Sequence, residues 1–231
     1  MFDYDYARYE MIELHLARRG IKDTRVLKAM WLVPREAFVE HGFEAFAYED
    51  SALPIAEGQT ISQPYIVARM AEAVEIEGTD SVLEVGAGSG YACAVLSHLA
   101  GQVSGIERHA ALAARATERL SALGRRNVEI LTGDGTKGWP EKAPFDAIIV
   151  SAGVPAVPTS LKDQLKVGGR LVIPVEHEER SQRLIRVTRV AANRYEEEDL
   201  GGVLFVPLIG EEGWSEDPGH TNLYIRKAFP S

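Results

Sequence analysis

The sequence predicts an α/β fold: a doubly wound, mostly parallel sheet with antiparallel edge strands and helices on its N-terminal side. Three observations carry this. Residues 81–85 read as a buried strand that runs through a glycine-rich turn, Gly86, Gly88 and Gly90, into a helical pattern from Tyr91. Strand and helix patterns then alternate to about residue 175, and parallel strands need such helical crossovers. Beyond that point the alternation gives way to hairpin-like strands, which suits antiparallel edges on a parallel sheet. With 231 residues and 45% hydrophobic content the chain can bury a full core. A single domain over 1–231 is expected, with a helical part at 1–51, an irregular loop at 52–64, an α/β core at 65–208 and a tail at 209–231.

Each element has a local reason. Tyr6, Tyr9, Ile12 and Leu16 fall at helical spacing, with Gly20 as a stop. Asp23-Thr24 can cap a second helix that turns Val26, Leu27, Met30 and Trp31 inward and ends at Pro34. These helices suit either a lid or ordinary surface packing. Residues 52–64 hold too many Pro, Gly and small polar residues for a regular element, and a helix follows from Tyr65 to Val74. Ser62 or Gln63 stands at its cap, and a loop closed onto a helix N-terminus also makes an anion site. Residues 103–107 form a short strand ending in Glu107, 110–123 a helix stopped by Gly124, and 127–132 a third strand entering Gly133-Asp134-Gly135. The apolar run 145–151 suits a central strand, and 168–175 a further one after a helix around 161–165. Residues 183–190, 195–199 and 202–208 read as late strands.

Composition excludes several classes. A net charge of −9 gives no basis for nucleic-acid binding, which draws its affinity from cations on phosphates. The single cysteine, Cys93, allows no internal disulfide and no cysteine metal cluster, and its apolar neighbours suit a buried side chain. Six scattered histidines suggest no metal centre. The N-terminus lacks a basic start with an apolar run, and no stretch reaches membrane-spanning length, so a cytoplasmic protein without membrane contact is expected.

The glycine turn narrows the chemistry. A dinucleotide fingerprint needs G-x-G-x-x-G, whereas here the spacing is E-x-G-x-G-x-G from Glu84 to Gly90. That form resembles the cofactor loop of the Rossmann-like S-adenosylmethionine-dependent methyltransferases. Glu84 is then placed to attract an ammonium group or to orient the loop, the alternative being a turn with no ligand. Glu107, one crossover later, can accept from a ribose diol or be a solvated strand-end acid. Asp134 between glycines can accept from an adenine amino group or be a plain turn residue.

Several blocks in order, Val33-Pro34-Arg35-Glu36-Ala37-Phe38-Val39, Gly58-Gln59-Thr60-Ile61-Ser62-Gln63-Pro64, Leu83 to Tyr91, Gly133-Asp134-Gly135 with Gly138-Trp139 and Ala143-Pro144-Phe145-Asp146, Gly168 to Val175 and Phe205-Val206-Pro207-Leu208, resemble the protein-L-isoaspartate (D-aspartate) O-methyltransferase family. The resemblance implies S-adenosylmethionine as cofactor and isoaspartyl-containing proteins or peptides as partners. It places Ser62 on the active-site serine and Thr60 and Ile61 on the loop beside cofactor and substrate. Glu84, Gly86, Gly88 and Gly90 fall on its first cofactor motif, Glu107 on its ribose-binding acid, Asp134 and Gly135 on its adenine-side turn, and Val206, Pro207 and Leu208 on its peptide cleft. The chain departs from the family at Ser151-Ala152-Gly153, where Thr-Ala-Ala is common, and at Glu176, where glycine is usual. Methylation of the isoaspartyl α-carboxylate needs no general base, since a carboxylate of reference pKa about 4 is already ionised. The Asn/Asp-Pro-Pro-aromatic motif of amino-group methyltransferases is absent at 151–155. A dedicated enzyme for one peptide and a non-catalytic S-adenosylmethionine-binding module are the alternatives.

Overall fold

A computed structural model describes residues 2–178 and 181–216 of the chain. The residues of the expected tail beyond 216 lie outside that description.

The N-terminal helix begins as α1, Tyr4–Glu10, capped by Asp3, whose carboxylate accepts from the Tyr6 amide at 3.0 Å. It does not stay regular. Residues Met11–Leu16 form a π-helical turn and Ala17–Arg19 a 3₁₀ turn before Gly20, left-handed at φ +101°, stops it. Met11 and Leu16, five residues apart, are both fully buried, and the wider turn brings such a pair onto one face. Asp23 caps α2, Thr24–Leu32, by accepting from the Arg25 amide at 2.8 Å.

The loop expected to be irregular contains a miniature hairpin: β1, Leu53–Pro54, pairs antiparallel with β2, Thr60–Ile61. Helix α3, Pro64–Ala73, follows with Gln63 at its N-cap and proline at its first position. Gln63 makes no side-chain cap bond, and the Tyr65 amide in the first turn is instead met by the Asp50 carboxylate at 3.1 Å, so Ser62 is not spent on that task.

The main sheet has the order β5-β4-β3-β6-β7-β8-β9. Its strands are β3 (Ser81–Val85), β4 (Gln102–Glu107), β5 (Val128–Thr132), β6 (Phe145–Val150), β7 (Leu165–Glu178), β8 (Ser181–Ala191) and β9 (Arg194–Val203). The five from β5 to β7 are parallel and the last two pairings antiparallel. Helices α4 (Tyr91–Leu96), α5 (Ala110–Ala122) and α6 (Thr159–Asp163) lie in the connections. After β5 the chain returns to the other side of β3, so the strand order reverses there. Ligands of open α/β sheets bind in the crevice that such a reversal opens at the carboxyl ends of the strands.

One late element differs from its expectation. Residues 202–208 do not form a strand of their own: β9 runs to Val203, and 204–208 leave the sheet to cross the carboxyl ends of the parallel strands. Pro207 lacks the amide that a continued ladder would use. The segment is instead tied to Gly153, whose amide donates to the Val206 carbonyl at 2.8 Å and whose carbonyl accepts from the Leu208 amide at 2.7 Å.

Hydrophobic packing covers both faces of the sheet, one with the N-terminal helices, α3 and α4, the other with α6 and Trp139. Phe145 opens β6 within the second layer and is fully buried. Phe145→Ala should therefore lower the unfolding free energy by about 3–5 kcal/mol, read as an earlier urea midpoint at unchanged slope.

Candidate active site

The carboxyl end of β3 turns through Gly86, Gly88 and Gly90 at φ +84°, +52° and +88°. All three are left-handed, where a side chain is strained. Amides of Gly86 and Ala87 donate to the Ile106 carbonyl at 2.8 and 3.0 Å, which ties the loop to β4. Glu107 at the end of β4 completes the tie. Its carboxylate accepts from the Gly88 amide and the His109 amide, both at 2.8 Å, and it is 5% exposed. Two donors fix the group and leave lone pairs for a ligand.

These strand ends surround a cavity of about 250 Å³. Gly86, Gly88, Glu107, Gly135, Thr60 and Ser151 line it, and Pro207 and Leu208 of the crossing segment form a further wall. A second cavity, about 580 Å³, lies between the loop before α3 and the exit of β9. Ser62, Gln63, Tyr65 and Arg69 line one side and residues 202–206 the other. Thr60, Ser151 and Val206 belong to both cavities, so the two adjoin at these residues.

Ser62 is half-buried, and its carbonyl accepts from Arg35 Nη2 at 2.7 Å. Among the described residues its hydroxyl makes no hydrogen bond, and no His, Asp or Glu accepts from it. A serine nucleophile needs an adjacent base, so this hydroxyl is suited to donating rather than attacking.

Other expected site residues stand elsewhere. Ile61 is 4% exposed and joins the core beneath the loop rather than either cavity. Gly90 faces α5: a Cβ there would lie 3.0 Å from that of Ala116, so the third glycine serves helix packing. Asp134 turns away from the cavity. Its carboxylate accepts from the Thr136 amide at 2.9 Å and hydroxyl at 2.7 Å, and from the Glu211 amide at 2.9 Å. Burial raises its pKa, but the Glu211 and Thr136 bonds outweigh that and hold it below the ordinary value. Its neighbour Gly135 does reach the cavity, packed so closely that a Cβ would come within 2.5 Å of Val85.

Glu84 lies under the glycine loop at 1% exposure and does not line the cavity. One carboxylate oxygen accepts from the Ser151 hydroxyl at 3.1 Å, and the other has no hydrogen-bond partner. Burial pushes its pKa up to about 7 against the opposing pull of Cys93 and Ser151, which stand close without satisfying the second oxygen. The Cys93 thiol is itself pushed well above its usual value by burial and by Glu84, which makes it inert. Ser151 is the residue that sequence reasoning passed over. It was visible only as a departure from a family pattern, yet it links the buried acid to both cavities.

Glu84 couples stability to pH. The folded state holds the carboxyl near 7 against an ordinary 4.5, so it retains a proton that the unfolded chain releases. Between those values each unit rise in pH favours unfolding by about 1.4 kcal/mol. Relative to the native chain, Glu84→Gln should therefore gain on the order of 3 kcal/mol between pH 4.5 and 7. Urea titrations at pH 5 and 7.5 that move both proteins equally would remove Glu84 as the source.

Comparison with known proteins bears on this geometry. Residues 7–213 match the family model for protein-L-isoaspartate(D-aspartate) O-methyltransferase. A protein-L-isoaspartate O-methyltransferase of Brucella anthropi is 51% identical, covering 94% of this chain and 99% of its own length. A second, from Pelobacter propionicus, is 58% identical over 91% of this chain and 93% of its own. A solved protein-L-isoaspartate O-methyltransferase superposes with a TM-score of 0.82 at 30% identity, covering 89% of this chain and 67% of that one. A Plasmodium falciparum structure described as such an enzyme in complex with S-adenosyl-L-homocysteine gives a TM-score of 0.74 at 26% identity, over 90% of this chain and 98% of its own. The mostly parallel sheet is thus the Rossmann-like fold of S-adenosylmethionine-dependent methyltransferases.

Proposed function

This chain belongs to the protein-L-isoaspartate(D-aspartate) O-methyltransferase family, and from that premise we propose that its two adjoining cavities divide the reaction between cofactor and substrate. It is an S-adenosylmethionine-dependent enzyme that methylates isoaspartyl residues of proteins and peptides. The observation that carries the division is the boundary at Thr60, Ser151 and Val206, which belongs to both cavities at once.

The smaller cavity suits the cofactor. Glu107 arrives there already fixed by two amides, with lone pairs left for a ribose diol, and Gly86 and Gly88 let backbone approach without side chains. Gly135 gives the third strand end the same close approach, and Pro207 and Leu208 supply an apolar wall. Glu84 acts from below through Ser151, accepting its hydroxyl and so fixing a residue that lines both cavities. S-adenosylmethionine supplies a methyl group on a positively charged sulfur, which leaves as a neutral thioether.

The larger cavity suits the isoaspartyl segment. Its α-carboxylate is ionised at neutral pH and needs no base. Ser62 would donate to one carboxylate oxygen and leave the other directed across the shared boundary, a positioning effect. Val206 closes that boundary against water, and with Phe205 it presents an apolar side to the peptide. The methyl ester is a better electrophile than a carboxylate, so the following backbone nitrogen can attack its carbonyl, lose its proton and expel methanol, closing a succinimide off the enzyme. We place this activity in the cytoplasm: Cys93 leaves no disulfide to form, and no described helix is long and apolar enough to cross a membrane.

Ser62→Ala should keep S-adenosylhomocysteine affinity within about threefold and lower methanol release from an isoaspartyl peptide about 100-fold, with the aspartyl isomer as blank. Unchanged turnover would take Ser62 out of the site. Glu107→Ala should weaken S-adenosylhomocysteine by about 1.5–3 kcal/mol, roughly 10- to 150-fold by calorimetry. Native affinity in that variant would show that the carboxylate does not meet the cofactor.

A further inference from the structure

Arg35 is fully buried, and among the described residues no carboxylate forms an ion pair with it. Its Nε donates to the Ala47 carbonyl and its Nη2 to the Ser62 carbonyl, each at 2.7 Å, while Nη1 has no partner. The guanidinium lies 4.6 Å from the ring centroid of Tyr91. Tyr91 is the first residue of α4, directly after Gly90, and is itself fully buried with its ring against Phe38 at 5.6 Å.

Burying a guanidinium with no carboxylate in ion-pair contact is expensive, and an apolar residue of similar length would fill the space more cheaply. The retained cost points to a task that only a rigid fork of donors can perform. What the fork holds is informative. Ser62 follows β2, where Ile61 is paired with Leu53, and precedes Gln63 and the proline that opens α3. The hairpin constrains Ser62 from one side and Arg35 fixes its carbonyl from the other. The direction of its Cα–Cβ bond is then set, and only rotation about χ1 is left to the hydroxyl. The other end of the assembly rests on the ring that follows the glycine loop.

We infer that Arg35 is a positioning residue that sets the placement of the Ser62 hydroxyl relative to the cofactor loop, by clamping the Ser62 carbonyl while stacked on Tyr91. The inference rests on the reading of Ser62 given above. It concerns no contact with substrate or cofactor. Lysine at this position keeps the charge but cannot span two carbonyls and a ring with one planar group.

The test is a double-mutant cycle with S-adenosylhomocysteine titration to count folded sites. Per binding site, Arg35→Lys should lower kcat/KM for an isoaspartyl peptide about tenfold or more while S-adenosylhomocysteine affinity stays within about threefold. In a Ser62→Ala background the same substitution should change the residual rate by less than about twofold, because no hydroxyl remains to misplace. Arg35→Met removes the buried charge, and it should lose turnover to a similar extent without a matching loss of melting temperature. Equal losses in both backgrounds, native turnover in Arg35→Lys, or loss of S-adenosylhomocysteine binding together with turnover would each overturn the inference. If Ser62→Ala alone changes nothing, the reading of Ser62 fails and the inference falls with it. If Ser62→Ala is damaging and Arg35→Lys is not, only the inference fails.

Discussion

The Glu107 carboxylate holds two strand ends in one arrangement. It accepts from an amide of the glycine loop after β3 and from the amide that starts the exit from β4. Backbone amides at loop ends are otherwise left to water, and a carboxylate is the strongest acceptor the chain can offer them. Once both are satisfied the loop has one shape, and the cavity in front of it is defined before any ligand enters. The left-handed glycines, the close packing of Gly135 on Val85 and the crossing of 204–208 all take their positions relative to that tie.

The site is also built from unusually costly buried groups. Glu84 and Arg35 each lie at 1% exposure or less, and each has one polar atom without a partner. They sit on opposite sides of the same boundary, one beneath the cofactor loop through Ser151, the other behind the Ser62 loop. An acid under the place of a cationic ligand and a cation behind the place of an anionic one is an arrangement that packing alone would not favour. The N-terminal helical part thereby has a definite task. Through Arg35 and its partner Ala47, residues before the sheet reach the loop that carries Ser62.

Later parts of the chain close the cavities. The 204–208 segment is held by Gly153 and forms a wall for both of them. Beyond it, Glu211 donates its amide to Asp134, and the Glu212 carboxylate accepts from the Ser160 amide at 3.2 Å. Glu216 pairs with Arg108 at the rim of the smaller cavity. Glu211, Glu212 and Glu216, which would be solvated charge in an extended segment, instead fasten residues 209–216 through Lys137, Ser160 and Arg108.

The sequence by itself determined what depends on neighbours along the chain. A short run buried on both faces marks β3, left-handed turns demand Gly86 and Gly88, and Asp23 caps a helix with an atom two residues away. The position of Glu107 follows as well, because one crossover and one strand separate it from the loop. Only the tertiary structure decided where side chains that begin in the same loop finish. Ile61 and Thr60 are adjacent yet face core and cavity, since a strand sends successive residues to opposite sides. Gly90 answers to Ala116 on another helix, Asp134 to Glu211, Glu84 to Ser151, and Ser62 to Arg35. Each of those partners is distant in the chain, and its approach is fixed by packing that no local pattern encodes.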